Sequence, residues 1–262
     1  MFNLTRIFFF VLIVSASLGR VVAQDAEKTY VFSLLLLSDR PLADGDHAMG
    51  GVNLSFLTEA EVYQVALERN TLSRKFQYKG GSEIGFFRDA AQARAETGGQ
   101  AVFTVELGTP GEKVIIVSDT SGKGMSANVL DVSRSTFPEN TLRVLNFSNQ
   151  VTFAKVDDST AEIQPNEMHD YSLDGRSPRS VFAFELAIAA IDEGETYLLE
   201  KRRMTAKQGG RKMILVHNQR QNFNRLTYKV FDIKPQAEVK NVSDRDLKSV
   251  DTSKYYRLNN EE

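Results

Sequence analysis

The strictest constraint on this chain lies in residues 181–191 (VFAFELAIAAI), where large side chains alternate with small or polar ones along the whole run. Phe182, Phe184, Leu186, Ile188 and Ala190 fall on one face, and Val181, Ala183, Glu185, Ala187 and Ala189 on the other. A period of two cannot be wrapped onto a helix, so the run predicts a β-strand with one face against a core. Residues 142–147 (LRVLNF) set Leu142, Val144 and Asn146 against Arg143, Leu145 and Phe147, which predicts a strand covered on both sides. The near-continuous apolar run 30–37 (YVFSLLLL) predicts a central strand, or one with a neighbouring sheet on each face.

After residue 147, the polar turn residues Ser148, Asn149 and Gln150 lead into 151–156 (VTFAKV), rich in β-branched and aromatic types, so residues 142–156 read as a hairpin. An earlier part of the chain echoes this one. Residues 52–56 and 62–67 precede the hairpin's two runs by about 90 residues. Further on, 72–78 (LSRKFQY) resembles 163–171 (IQPNEMHDY), and 110–117 (PGEKVIIV) resembles 209–216 (GGRKMILV). Two copies of one β unit fit a chain of 262 residues, which is long enough to bury a core in each.

Other strands are expected at 83–87, 101–107, 113–117, 126–131, 196–204, 212–216 and 226–233. Residues 58–61 fit a helix-capping pattern, but comparison with 151–156 favours a strand over 62–67. Residues 88–99 (RDAAQARAETGG) read as a short surface helix or a loop, since the alanines favour helix while little apolar face is left to dock. Residues 157–160 (DDST) read as a turn. Residues 133–140 (SRSTFPEN) are the linker candidate, because Pro138 bars a continuous ladder.

Residues 1–23 carry the marks of an export signal: Arg6, the apolar stretch 7–18, and Val21, Val22 and Ala23 as a cleavage site before Gln24. The stretch is short for a membrane span, which needs roughly 20 residues, and no cysteine follows to make it a lipoprotein signal. The expected fold is therefore all-β, with two tandem immunoglobulin-like β-sandwich domains after an N-terminal signal peptide. The first would span 24–132 and the second 138–236, followed by a polar, mobile tail over 237–262.

Without the leader the chain holds 30 basic and 34 acidic side chains, a balance that gives no electrostatic footprint for nucleic acid. The absence of cysteine excludes disulfides, thiolate metal sites and cysteine nucleophiles. Asp44, Asp46 and His47 form the one tight group of metal-ligating types, but the loop lacks the oxygens at fixed steps that calcium requires and reads as a solvated turn. His47, His169 and His217 are scattered, and no nucleophile elbow or HExxH pattern occurs. Residues 109–113 (TPGEK) and 121–125 (SGKGM) lack phosphate-loop spacing.

At residues 142–146 (LRVLN), 163–165 (IQP) and 211–216 (RKMILV) the chain resembles uncharacterised exported proteins of Verrucomicrobia and related bacteria, which look like tandem immunoglobulin-like β-sandwich proteins. The likeness spans most of the mature chain, implies a bacterial envelope location, and brings no catalytic residues with it. The expectation is a non-enzymatic binding or scaffolding module, periplasmic or extracellular, with no catalytic, cofactor or metal site. Its partner would be another envelope protein or a polysaccharide, with no nucleic acid and no membrane span once the leader is removed. Two alternatives stay open: a carbohydrate-binding accessory module using Tyr63, Tyr78 and Tyr171 as a platform, and a hydrolase in which His47 or His169 converges with dispersed carboxylates.

Overall fold

A computed structural model describes residues 28–38, 52–58, 61–95, 99–120, 124–175, 180–192, 194–219 and 222–234. The expected leader (1–23), the Asp44, Asp46 and His47 loop and the tail (237–262) lie outside the described residues. The first half contributes β1 (Lys28–Ser38), β2 (Val52–Leu57), β3 (Val62–Leu67), β4 (Phe76–Gly80), β5 (Glu83–Phe87), a single-turn helix α1 (Ala90–Arg94), β6 (Phe103–Glu106), β7 (Gly111–Thr120) and β8 (Gly124–Asp131). The second contributes β9 (Thr141–Phe147), β10 (Thr152–Val156), β11 (Ser159–Ile163), β12 (Met168–Ser172), β13 (Val181–Asp192), β14 (Glu195–Lys207), β15 (Arg211–Gln219) and β16 (Asn222–Asp232). The all-β expectation holds, and the ambiguous run at 62–67 is a strand.

These strands make four sheets of four. Inner sheet β4-β1-β7-β8 faces outer sheet β3-β2-β5-β6, and inner sheet β12-β9-β15-β16 faces outer sheet β11-β10-β13-β14. Adding eight to each strand number of the first sandwich gives the second, down to the parallel pairs β1/β7 and β9/β15 inside otherwise antiparallel sheets. Register repeats as well. Lys113 lies opposite Phe32 and Asp131, and Lys212 opposite Leu142 and Asp232. The two lysines bond those aspartates at 2.6 and 2.5 Å. Asn70 and Asn166, both at positive φ, donate their N–H groups to the corresponding carbonyls of Leu36 and Asn146; asparagine tolerates that conformation better than most side chains.

This topology corrects three readings. Residues 142–156 are not a hairpin: β9 lies in the inner sheet, whereas β10 pairs with β11 and β13 in the outer one. A period-two pattern fixes the faces of a strand but not the sheet that receives the next strand. Fully buried Asn146 makes the crossing, donating Nδ2 to Gln150 O and Ile163 O and accepting the Ser148 N–H and hydroxyl at Oδ1. Consequently β1 matches β9, β2 matches β10 and β3 matches β11, so the pairings of 52–56 with 142–147 and of 62–67 with 151–156 are one strand out of step, while 72–78 with 163–171 and 110–117 with 209–216 stand. The DDST reading also ran long, since β11 begins at Ser159.

Three apolar clusters hold the layers. One fills the first sandwich around Phe32, Phe56, Phe76 and Phe86, and another fills the second around Leu142, Phe184, Leu186 and Ile214. The third joins the two inner sheets back to back, with Leu35, Val114, Ile116 and Val132 against Leu145, Met213, Leu215 and Ile233. Each member of the first set has its register mate in the second, so the sandwiches meet through equivalent faces, like the halves of a two-fold dimer. That stacking explains why β1 and β9 are apolar on both faces.

Candidate functional site

The linker is clamped into the seam rather than hung outside it. Phe137 is fully buried, with the Arg143 guanidinium 4.3 Å from its ring centroid and that of Arg211 5.8 Å away. Arg143 donates to both carboxylate oxygens of Asp170 at 2.7 Å, and to the carbonyls of Asp131 and Thr136 at 3.1 and 2.5 Å. Arg211 bonds Glu112 at 3.0 Å and the Val132 carbonyl, while Lys75 pairs with Glu112 and reaches the Lys234 carbonyl at 2.7 Å. Every donor set in this network is spent on an internal partner. Its work is to fix one sandwich against the other.

The sequence candidates scatter. Tyr63, Tyr78 and Tyr171 are 8, 7 and 2 % exposed, so none can serve as a sugar-stacking platform. Tyr171 donates to the Ala154 carbonyl at 2.6 Å, and burial pushes its hydroxyl up to about 12. Each hydroxyl is hydrogen-bonded, Tyr63 to the Glu61 carboxylate, Tyr78 to the Glu83 carbonyl and Tyr171 to the Ala154 carbonyl, while the rings pack inward. His169 lies at the exposed edge of β12, its ring 4.7 Å from that of Tyr171. His217, near the end of β15, has Nδ1 3.0 Å from the Asn218 carbonyl, as expected for a histidine ending an apolar strand. Burial holds it below the usual histidine range, with a lesser push from Lys229 against the pull of the Asn218 carbonyl. Among the described residues, no three His, Asp or Glu side chains converge as metal ligands would.

The two outer sheets differ in what covers them. In the first sandwich, α1 lies over β2, β3 and β5, burying Ala93 and leaving Ser55 1 % exposed. Asp89 caps the helix by accepting the Gln92 N–H at 2.8 Å. The short stretch within 88–99 thus is a helix, docked by one alanine and no large apolar face. In the second sandwich no described element covers the corresponding face. A shallow trough of about 700 Å³ lies there, floored by Ala183 and Ala187 and walled by Lys155, Lys201 and Arg203. Across three strands, Lys155 and Lys201 both stand opposite Ala187; one step along, Glu185 stands opposite Arg203. Asp157 and Asp158 close that end, and Asp157 accepts the Glu185 N–H at 2.7 Å.

No protein-family model and no curated protein matches the chain. Assignment of the site therefore rests on its own chemistry. Lys75, Lys113, Arg143, Arg211 and Lys212 are each ion-paired. Among the described residues, the side chains of Lys155, Lys201 and Arg203 have no such partner, although all three stand on rigid strands. Sequence reading missed these residues. The signal was present in 181–191, whose second face sets Ala183, Ala187 and Ala189 beside Val181 and Glu185, a surface too poor in large side chains to pack under another layer.

A second hollow of about 720 Å³ opens at one side of the seam, between Ile116 and Leu130 of the first inner sheet and Leu145, Phe147 and Met168 of the second. Phe231 is the register mate of Leu130 and is 8 % exposed. A phenylalanine fills its side of the seam, whereas the smaller leucine leaves a gap at the other.

Proposed function

We propose that this protein is a non-enzymatic binding or scaffolding module of the bacterial cell envelope, and that the uncovered face and edge of the second outer sheet are what it binds with. The observation carrying this reading is the contrast between the ion-paired cations of the seam and Lys155, Lys201 and Arg203, which stand over Ala183 and Ala187 with no ion-pair partner among the described residues. A rigid two-sandwich stack suits such a role, because it holds a binding face without spending ordering entropy on its frame. The leader-like residues 1–23 support export. Among the described residues no helix is long and apolar enough to cross a membrane.

The test is capture from envelope extract on immobilised protein, beside a Lys155→Glu, Lys201→Glu, Arg203→Glu variant whose unfolding curve matches the parent. A partner retained by the parent and lost from the variant is the expected result. Equal recovery on both, or turnover of a small substrate by pure protein, would overturn the proposal. Separately, amino-terminal sequencing of protein recovered from the envelope should begin at Gln24.

A further inference from the structure

The strand bounding the trough is unlike its counterpart. β14 has 13 residues where β6 has 4, and it is an edge strand: among the described residues it pairs with β13 alone. In an antiparallel ladder alternate residues turn their N–H and C=O groups toward one neighbour, so every second residue of β14 presents them outward. The Lys201 N–H is bonded to its neighbour's carboxylate, Glu200, at 3.1 Å, which marks Lys201, Arg203, Thr205 and Lys207 as the outward set. The same four residues point their side chains to the uncovered face, because Met204 and Ala206 between them are buried in the core. Three of the four are cations. Backbone groups and charge therefore recur together at every second position along one free edge.

We propose that β14 receives an extended acidic protein segment as a fifth strand of its sheet, with carboxylates at alternate positions opposite Lys201, Arg203 and Lys207. The added strand's main chain would complete the outward ladder, and its acidic side chains would project over the uncovered face beside the trough. A run of lysine and arginine on an edge also deters pairing with another copy of the same cationic strand, so the edge selects against itself and for an acidic partner. This inference rests on the binding-module reading and adds to it the strand and the chemistry of its partner.

The test uses the full mature chain and three probes: a short peptide alternating glutamate and valine, a peptide of identical composition with its glutamates in one block, and dextran sulfate. Affinity is read by fluorescence anisotropy, and protection of the β14 amides by hydrogen exchange. The alternating peptide is expected to bind at least about tenfold more tightly than the blocked one, a difference of about 1.4 kcal/mol, and to slow exchange at 201–207. Thr205→Pro keeps every charge but removes one outward N–H, a substitution an edge strand tolerates; it should abolish the preference for the alternating peptide. Lys201→Glu with Arg203→Glu should abolish binding of both peptides. Equal binding of all three probes, unchanged by Thr205→Pro, would sink strand addition while leaving an anion-binding face. No binding of either peptide would overturn the acidic-segment proposal outright, with envelope capture remaining as the separate measure of the binding module.

Discussion

The two sandwiches share strand order, register and the Lys–Asp pair at the start of each β7-type strand, yet they part company at the strands farthest from the seam. β5 and β6 are 5 and 4 residues long with α1 between them, whereas β13 and β14 run 12 and 13 residues through a tight turn at Gly194. Inner sheets have two neighbours to satisfy and little freedom to change. Outer sheets have one, and the difference between the repeats is concentrated there. The seam itself shows how two like faces become specific to one another: Glu112 and Arg211 occupy the same register position in the two repeats and meet as opposite charges. Identical residues there would set like charge against like charge.

That complementarity yields the largest predicted effect. Arg211 is 4 % exposed and Glu112 9 %, so Arg211→Met leaves a buried carboxylate with Lys75 as its remaining ion-pair partner and should cost about 3 kcal/mol, the low end for breaking a buried pair. Changing Glu112→Leu in the same chain should restore much of that, because the buried carboxylate is gone while Lys75, at 19 % exposure, keeps the Lys234 carbonyl. Urea midpoints of the two variants measure this. A single variant within about 1 kcal/mol of the parent would remove the seam pair from the account of why the repeats stack.

A smaller contrast separates the two Lys–Asp pairs. Lys113 is 3 % exposed and Lys212 14 %, with Asp131 and Asp232 at 31 and 69 %. Lys113→Met should cost about 1.5–3 kcal/mol, as for a buried charged hydrogen bond, and Lys212→Met under about 1 kcal/mol. Burial alone would raise Asp131, but the Lys113 ammonium and hydrogen bonds from Ser133 and Thr136 hold it down at about 2, below its ordinary 3.8. A carboxylate held low in the folded chain lends stability above pH 3.8 that is lost as pH falls from there toward about 2. In Lys113→Met that acid limb should move to higher pH. An unchanged limb would mean the pair contributes nothing to acid stability.

His217 and its register mate Ser118 break the symmetry at the far end of the inner strands. Its pKa is lower folded than unfolded, so above pH 6.5 both forms are neutral and no stability depends on it. Below 6.5 the unfolded chain takes the proton first, and stability drops as pH falls toward the folded value. His217→Ser, which copies the first repeat, should flatten the thermal midpoint between about pH 7.5 and pH 5.5. A parent already flat over that range would show that the ring reaches solvent.

Much of this was legible beforehand. Alternation at 181–191, two-sided apolarity at 30–37 and 142–147, and the matching GEKVIIV and GRKMILV runs reported strands, layers and a repeat, because burial writes itself into side-chain period. Sheet membership was not legible. The crossing between β9 and β10 depends on four hydrogen bonds of one asparagine, and a buried asparagine looks in sequence like any turn residue. The uncovered face was hard to see for a related reason: exposure is a property of what fails to pack on a strand, and no residue of the strand states it. Residues 88–99 read as a short surface helix or a loop because they offer little apolar face to dock, and the helix forms with Ala93 alone buried, over strands where the outward residue is as small as Ser55.

That helix supplies the smallest predicted effect and the sharpest use of the comparison. Asp89→Ala removes the cap on α1 and should cost the helix about 1 kcal/mol, while the urea midpoint of the whole chain barely moves, since one turn held by one alanine contributes little to the core. Hydrogen exchange at 90–95 should quicken with the strands beneath unchanged. Losing its cover makes the first outer sheet resemble the second in one respect only. Its face carries Glu83 opposite Glu106, and its edge strand β6 offers four residues to a partner. An acidic peptide should therefore still bind nowhere on that sheet. If Asp89→Ala gained a second acidic-peptide site, lack of a cover would be enough to make an outer sheet bind, and the length and charge of β14 would no longer be needed to explain it.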